Sequence, residues 1–402
     1  MKLLPIIQSL LDTDLYKFNM QQVMLHKHPD LIGEYWFKCR NKDVKFTEEM
    51  FQEINDQIDS LCELRFRKTE LDFLRTIRYL KHDYVEFLRF WHPLRDYVYT
   101  ELKEDGELII KVKGPIAYCM PFEIYLLEIV NEVYFRFQYA DRYFELVNSA
   151  EEILTKKINN FNDGTYNFKF AEFGCRRRLS REWQDRMVGR LVNELTNHNC
   201  VGTSNVYLAF KYGITPIGTY AHEYVEMYEG ISKYPVAYAN YYAMKDWYAE
   251  YKGDNGTALT DTLTTDVFLL DFDRAMAATY NGVRHDSGNP FEWGEKMIAH
   301  YEKLGIDPKT KTLLFSDSLN GERAQELYNY FKDRVKVSFG IGTYFSNDTC
   351  VEPLNIVIKL QYVNGNPVAK ISDCEGKTMC PDNNFEIYLK SAVQLRISRE
   401  VK

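Results

Sequence analysis

Arg284-His285-Asp286-Ser287-Gly288 is the densest run of reactive side chains in this sequence. Its guanidinium offers a planar fork for phosphate or carboxylate. Its carboxylate can face a hydroxyl or Mg²⁺, and its glycine can end a turn. Asp261 and Asp317 are read at comparable strand ends. Carboxylates gathered around one mouth suit Mg²⁺ bound through waters and substrate phosphates. Asp286 and Asp317 could equally be helix N-caps. His222, between Ala221 and Glu223, carries an imidazole that titrates near neutrality and can be a base, a ligand or a nucleophile. A lone histidine can also be purely structural, and both readings stand at this point.

Three further groups point to anions. Arg176-Arg177-Arg178 follows Glu172-Phe173-Gly174-Cys175, so guanidinium forks are expected at a strand end, with Gly174 allowing a sharp turn. The alternative is a solvated basic run paired with local carboxylates. Gly202-Thr203-Ser204-Asn205 ends a strand and opens a helix, where backbone amides and small hydroxyls can hold an anion or where Ser204 or Thr203 simply caps the helix. Gly340-Ile341-Gly342-Thr343 follows the same logic, and is neither a dinucleotide fingerprint nor a Walker loop. His26-Lys27-His28 is a poor metal pair, because residues two apart on a helix point to different faces.

These groups need elements to hold them. Four short apolar runs, Ile214–Tyr220, Thr279–Val283, Thr312–Phe315 and Val335–Phe339, each lead into a reactive loop. Short apolar runs read as buried parallel strands, and (β/α) barrels carry their chemistry on loops at strand C-termini. From about residue 141 the pattern alternates strand and helix, which implies parallel strands with crossover helices. Residues 1–140 read instead as a mixed α+β domain: a helix from Thr13 or Asp14 to His26, a strand over Gly33–Arg40, charged-aromatic helices through 47–91, and a strand over Glu107–Lys113. The tail, residues 353–402, reads as a strand Leu354–Tyr362, a turn at Asn364-Gly365-Asn366-Pro367 and a strand Val368–Ser372. That hairpin suits the N-terminal domain, leaving 141–352 as the barrel.

At 402 residues the chain can bury a large core. A net charge of −8 argues against nucleic acid as the main partner. The 30 Tyr and 25 Phe exceed ordinary usage, and most are expected in packing. Eight scattered cysteines with no CxxC pattern fit reduced core residues of a cytosolic protein. Pro5, Gln8 and Ser9 break the apolar N-terminal stretch and Asp12 and Asp14 stop it, so neither a cleavable leader nor a membrane span is expected, and the location expected is the cytoplasm.

Residue types alone thus reach a (β/α)-type enzyme for a phosphorylated, anionic small molecule. Eight motifs in order go further. Asp12-Thr-Asp-Leu-Tyr-Lys17, Glu172–Arg178, Gly202–Asn205, Gly218-Thr-Tyr-Ala-His-Glu223, Gly282–Gly288, Phe315-Ser-Asp-Ser318, Phe339–Thr343 and Pro353-Leu-Asn-Ile-Val-Ile-Lys359 together resemble the nicotinate phosphoribosyltransferase family over nearly the whole chain. The resemblance implies an α/β fold, an irregular (β/α) barrel with a mixed α+β N-terminal domain completed by the C-terminal segment. It implies a homodimer with its active site at the subunit interface. It implies synthesis of nicotinate mononucleotide and pyrophosphate from nicotinate and phosphoribosyl pyrophosphate, in NAD biosynthesis and salvage. ATP would be a co-substrate, hydrolysed through a phosphohistidine at His222, with Mg²⁺.

The same resemblance assigns roles. Arg284 would contact phosphate, Asp286 the ribose or Mg²⁺, and Gly340, Gly342 and Thr343 the 5′-phosphate, with Asp261, Thr203 and Asp317 in the surrounding site. Tyr16 would stack on the nicotinate ring across the dimer, opposite Phe173, with Arg176 facing the pyridine carboxylate. Related nicotinamide enzymes carry an Asp where Ser204 stands. A carboxylate there would repel nicotinate, whereas a hydroxyl can donate to it. The rivals are a nicotinamide phosphoribosyltransferase, a metal-dependent barrel hydrolase using His222, His285 and Asp317, and a non-catalytic binding protein.

Overall fold

The computed structural model describes residues 3–372 and 380–400. Cys374 lies outside them, and the other seven cysteines are all free. The chain forms two compact units: residues 1–22, 34–218 and 341–359, and residues 23–33, 219–340 and 360–402.

In the first unit, strands β1 (Ile32–Cys39, from Glu34 onward), β2 (Val98–Leu102) and β3 (Leu108–Pro115) lie in the order β1-β3-β2. β2 and β3 pair antiparallel from Val98↔Val112 to Leu102↔Leu108, and the turn between them uses Gly106 at φ 82°, a conformation that favours glycine. The helix Glu48–Glu63 starts on Thr47, whose side chain accepts from Met50 N, a cap that contributes about 1 kcal/mol. Phe122–Gln138 is buried along nearly its whole length, Glu123, Glu128, Asn131 and Glu132 included, and buried charges of this kind need partners. β4 (Phe170–Glu172), β5 (Cys200–Thr203) and β6 (Thr215–Pro216) run parallel in the order β6-β5-β4. Ser180 caps the helix Arg181–Glu194, which crosses from β4 to β5. Phe161, Phe168 and Phe170 pack together, and the Phe170 ring stacks on Phe345 with centroids 4.8 Å apart, so the aromatic surplus here is core.

In the second unit, the short strand β7 (Lys252–Asn255) comes first, and β8 (Thr257–Leu259), β9 (Gly282–His285), β10 (Thr312–Phe315) and β11 (Lys336–Ile341) are parallel in the order β11-β10-β9-β8. β11 ends at Ile341, counted with the first unit, where its carbonyl accepts from Phe173 N at 2.8 Å. Both strand sets are the parallel α/β arrangement that the alternating sequence implies.

Four expectations shift. Ile214–Tyr220 shrinks to a two-residue strand, because Pro216 has no N–H for a ladder. Thr279 ends a helix instead of starting a strand, so β9 begins at Gly282 and includes Arg284 and His285. Val368–Ser372 is not a strand: after β12 (Ile356–Val363) the returning strand of the hairpin is only Asn366-Pro367, across Asn364 and Gly365 at φ 51° and 80°, the tight turn that such hairpins favour. The tail also holds a helix, Asn383–Glu400, absent from the sequence reading. It is locked by Arg396, which donates to Asp271 at 2.5 and 3.1 Å and to Ala237 O at 2.6 Å.

Candidate functional site

The second unit gathers one constellation. His222 is the first residue of the helix His222–Glu229, and its Nε2 lies 2.9 Å from Asp261 Oδ1 and 3.6 Å from Asp286 Oδ2. Asp261 follows β8 and is almost fully buried. Its second oxygen accepts from Ser287 Oγ at 2.5 Å and from Lys370 Nζ at 2.7 Å. Lys370 Nζ is also 2.8 Å from His222 Nε2. Burial and the Lys370 ammonium push the His222 pKa down to about 4, although Asp261 and Asp286 pull the other way. The imidazole is therefore neutral at physiological pH, as a nucleophile must be. Burial opposes the charge on Asp261, yet His222 and Lys370 hold its carboxyl well below the usual range.

β9 explains how Arg284 and Asp286 come to work together while His285 does not. Successive strand side chains point to opposite faces. Arg284 donates to Ser316 Oγ at 2.8 Å and to Asp286 Oδ1 at 3.1 Å, and Ser316 Oγ donates to Asp286 at 2.9 Å. Burial would raise the Asp286 pKa, but Arg284 and His222 hold it below its usual value. His285, one residue between them, turns into the core against Trp293 and Phe315, and burial lowers its pKa. Asp317 sits in the loop after β10, accepting from Ser318 at 3.1 Å. The hydrolase reading thus loses His285 to the core, and among the described residues no group of three or more His, Cys, Asp or Glu could hold a metal ion. His26 and His28 pair separately with Glu250 and Asp246.

The first unit gathers another. Arg176 reaches Tyr16: its Nη2 donates to the phenol oxygen, and its guanidinium stands 5.2 Å from the ring centroid. These two groups meet within one chain. Asp14 lies 3.8 Å and Glu123 3.5 Å from Arg176, and Glu123 also accepts from Lys17 at 2.5 Å. Burial raises the Asp14 pKa despite Arg176 and a hydrogen bond from Ser204. Burial also opposes charge on Glu123, but Arg176 and Lys17 keep it lowered. Phe173, half-buried, follows β4 directly.

The arginine trio divides. Arg178 is completely buried, bidentate to Asp12 at 2.6 and 3.0 Å and 3.2 Å from Glu128, so it has the paired-carboxylate role. Arg176 keeps a 39 % exposed side chain and stays open to a ligand. Gly174 is needed for space, not for a positive φ: a Cβ there would run into Ser346 and the Glu172 carboxylate.

The Gly202–Asn205 turn is also more structural than expected. The amides of Ser204, Val206 and Tyr207 donate to Glu172 O, Thr13 O and Leu11 O at 2.8 to 3.0 Å. Asn205, not Ser204 or Thr203, caps the helix Val206–Tyr212 through Leu208 N. Thr203 spends its hydroxyl on Glu172 at 2.6 Å. No amide among these is left for an anion, and Ser204, 3.9 Å from Cys175 Sγ, remains the specificity candidate of the turn. Gly340 lies inside β11, while Gly342 and Thr343 open a one-turn helix, with a Cβ at Gly342 falling 3.1 Å from Phe173 O.

Lys370 is the main residue missed. Its one sequence signal is a charge inside the apolar run Val368–Ile371, which reads equally as a strand with one outward residue.

The comparisons with known proteins agree with each other. The model of the nicotinate phosphoribosyltransferase (NAPRTase) family matches residues 168–396, and that of its N-terminal domain matches 11–131. The chain belongs to the nicotinate phosphoribosyltransferase family. It is 47 % identical to the nicotinate phosphoribosyltransferase of Chromobacterium violaceum over 97 % of this chain and 98 % of that one. The Acinetobacter baumannii enzyme of the same name is 45 % identical over the same shares. The crystal structure of nicotinate phosphoribosyltransferase from Porphyromonas gingivalis superimposes with a TM-score of 0.90 at 36 % identity, covering 97 % of this chain and 100 % of that one. A putative nicotinate phosphoribosyltransferase from Saccharomyces cerevisiae gives 0.90 at 35 %, covering 98 % and 100 %. The mixed α/β fold of the family is thus shared. No helix among the described residues is long and apolar enough to cross a membrane.

Proposed function

We propose that this family member joins nicotinate to 5-phosphoribosyl 1-pyrophosphate, giving nicotinate mononucleotide and pyrophosphate for NAD synthesis in the cytoplasm, and that ATP drives the step through phosphorylation of His222. The full-length identity to nicotinate phosphoribosyltransferases supports the transfer. The observation that carries the ATP arm is a neutral, nearly enclosed imidazole whose Nε2 faces an ionised carboxylate.

In this reading the pyridine nitrogen attacks the anomeric carbon as pyrophosphate leaves, and positive charge develops on the ribose. Arg284 binds phosphate and Asp286 faces the ribose, held at 3.1 Å from that guanidinium. Fixed charges of this kind stabilise a transition state without reorganising. Tyr16 and Phe173 contact the pyridine ring, and Arg176 binds its carboxylate. Ser204 would turn its one hydroxyl proton from Asp14 to the same carboxylate, favouring the acid over the amide. The Gly340–Thr343 turn takes the 5′-phosphate, while Thr203 and Asp317 support the site from its surroundings. Mg²⁺ would neutralise the leaving pyrophosphate. Asp261 already spends both oxygens on His222, Ser287 and Lys370, which suits an ion carried by substrate phosphates and water better than a protein cage. A homodimer is part of the proposal, checked by light scattering.

Product formation from phosphoribosyl pyrophosphate, Mg²⁺ and ATP, with nicotinate and nicotinamide in parallel, tests the reading. Nicotinate mononucleotide with ADP release is expected. Turnover of nicotinamide instead would overturn the specificity, and silence with both would overturn the reaction.

A further inference from the structure

His222 Nε2 has two partners that it cannot satisfy together. Asp261 Oδ1, 2.9 Å away, needs a proton on that nitrogen, whereas the Lys370 ammonium, 2.8 Å away, needs a lone pair. A neutral ring has one proton and meets one demand at a time. With the proton on Nε2, Asp261 accepts it and Lys370 keeps its bond to Asp261 Oδ2. With the proton on Nδ1, Lys370 donates to Nε2. A doubly protonated ring would instead set a second cation against the ammonium. Lys370 is brought there by a pinned strap. Val368 N donates to Gln361 O at 3.0 Å, Ala369 N to the buried Glu229 at 2.8 Å, Ile371 N to Thr262 O at 2.9 Å, and Ser372 Oγ to Ser287 at 3.1 Å. Ser372 takes φ 68° to do so. A lysine held this tightly and 6 % exposed is not a surface charge that happened to fold inward.

We propose that Lys370 is a positioning residue for His222: from the 368–372 strap, its ammonium excludes the imidazolium form and fixes Asp261, so that the ring waits as a neutral nucleophile. The inference rests on the ATP arm of the proposed function for its use, though not for its test. In the transfer, a ring nitrogen forms a bond to the γ-phosphorus of ATP. The bond from that phosphorus to the bridging oxygen breaks, and ADP leaves with the electron pair. If the ring proton sits on Nε2, Nδ1 attacks, and Asp261 accepts from Nε2–H while the ring is cationic. Once that proton passes to water, Nε2 can accept from Lys370, so the pair serves both ring states.

The charged groups facing His222 are Asp261, Asp286 and Lys370, with Arg284 behind Asp286. Removing Lys370 leaves two carboxylates on the ring, which favours the imidazolium. The test uses the full chain, ¹⁵N-labelled at histidine, as wild type, Lys370→Met and Lys370→Arg, with His222→Gln identifying the resonance. Wild type and Lys370→Arg are expected to keep a neutral His222 ring at about pH 6, and Lys370→Met to show the imidazolium there. With γ-labelled ATP, Lys370→Met should label at least about tenfold more slowly at that pH, a deficit that closes as pH rises. A neutral ring in Lys370→Met, or a loss that is independent of pH and not restored by Lys370→Arg, overturns the inference. Circular dichroism identifies a misfolded Met variant, in which case the Arg variant decides: a ring protonated as an ordinary histidine would overturn the proposal, and a neutral one supports it. If wild type takes no label, the ATP arm of the proposed function fails, while the ring spectra still decide the Lys370–His222 relation.

Discussion

The buried polar networks of the two units differ in how their hydrogen bonds are shared. In the first, around Glu172, each donor has its own acceptor site: Gly174 N and Gln184 take one oxygen, and Thr203 takes the other. Arg178 likewise gives each oxygen of Asp12 its own nitrogen, with Glu128 3.2 Å away as a second countercharge. In the second, one nitrogen of His222 faces both a carboxylate and an ammonium. A network with one arrangement rigidifies, whereas one with two competing arrangements can move a proton at little cost. The first pattern marks scaffold and the second marks chemistry.

The largest effect that would test this contrast is on the scaffold side. Arg178→Met should cost about 3–5 kcal/mol of stability, because it leaves Asp12 and Glu128 buried and unpaired. Arg176→Met, by contrast, should leave the melting temperature nearly unchanged and raise the KM for nicotinate. Equal melting losses in the two variants would erase the distinction drawn within the trio.

Next in size, His222→Ala should remove ATP-stimulated synthesis by about 10²-fold or more while sparing some ATP-independent product. Complete loss of synthesis at saturating substrates in a folded variant would mean that His222 does more than couple ATP. Ser204→Asp should raise the KM for nicotinate about tenfold or more, by setting a carboxylate against the substrate's own. An unchanged KM would remove Ser204 from the specificity argument.

The smallest effect is on pH-dependent stability. The His222 pKa is about 4 in the folded chain against about 6.5 unfolded. Its contribution is therefore present above 6.5 and lost as pH falls from 6.5 to 4. At most about 3 kcal/mol is at stake, reduced by whatever water reaches the ring. The stability from Asp261, held low, is present throughout that window and is lost only as pH falls below it. His285 acts in the same direction as His222, so the difference between wild type and His222→Gln in urea melts isolates the site. Identical pH slopes would show that His222 does not fold in its neutral form.

Much of this was legible in the residues. The Arg284–Gly288 run stood out as reactive, though it was read as a loop after Val283, and Thr312–Phe315 and the Asn364-Gly365 turn matched their sequence signals. Other features were not legible, for particular reasons. The Arg176–Arg178 run has one composition and two fates, because only the approach of Asp12 and Glu128 makes Arg178 scaffold. The amides after Gly202 looked open to an anion because nothing local tells that Leu11 and Thr13 accept from them. Val368–Ser372 has strand periodicity, but Ile371 and Ser372 bond to Thr262 instead of to a ladder.

The sequence by itself determined the parallel α/β pattern, the motif order that marks the family, and the residue types able to bind phosphate and accept a phosphoryl group. Those are local properties of chemistry and spacing. Only the tertiary structure decided which of them share a partner: that Lys370 meets His222 across 148 positions of chain, that His285 faces the core, and that Thr203 serves Glu172. Burial and charge at a distance set those outcomes, and neither is written in any one stretch of residues.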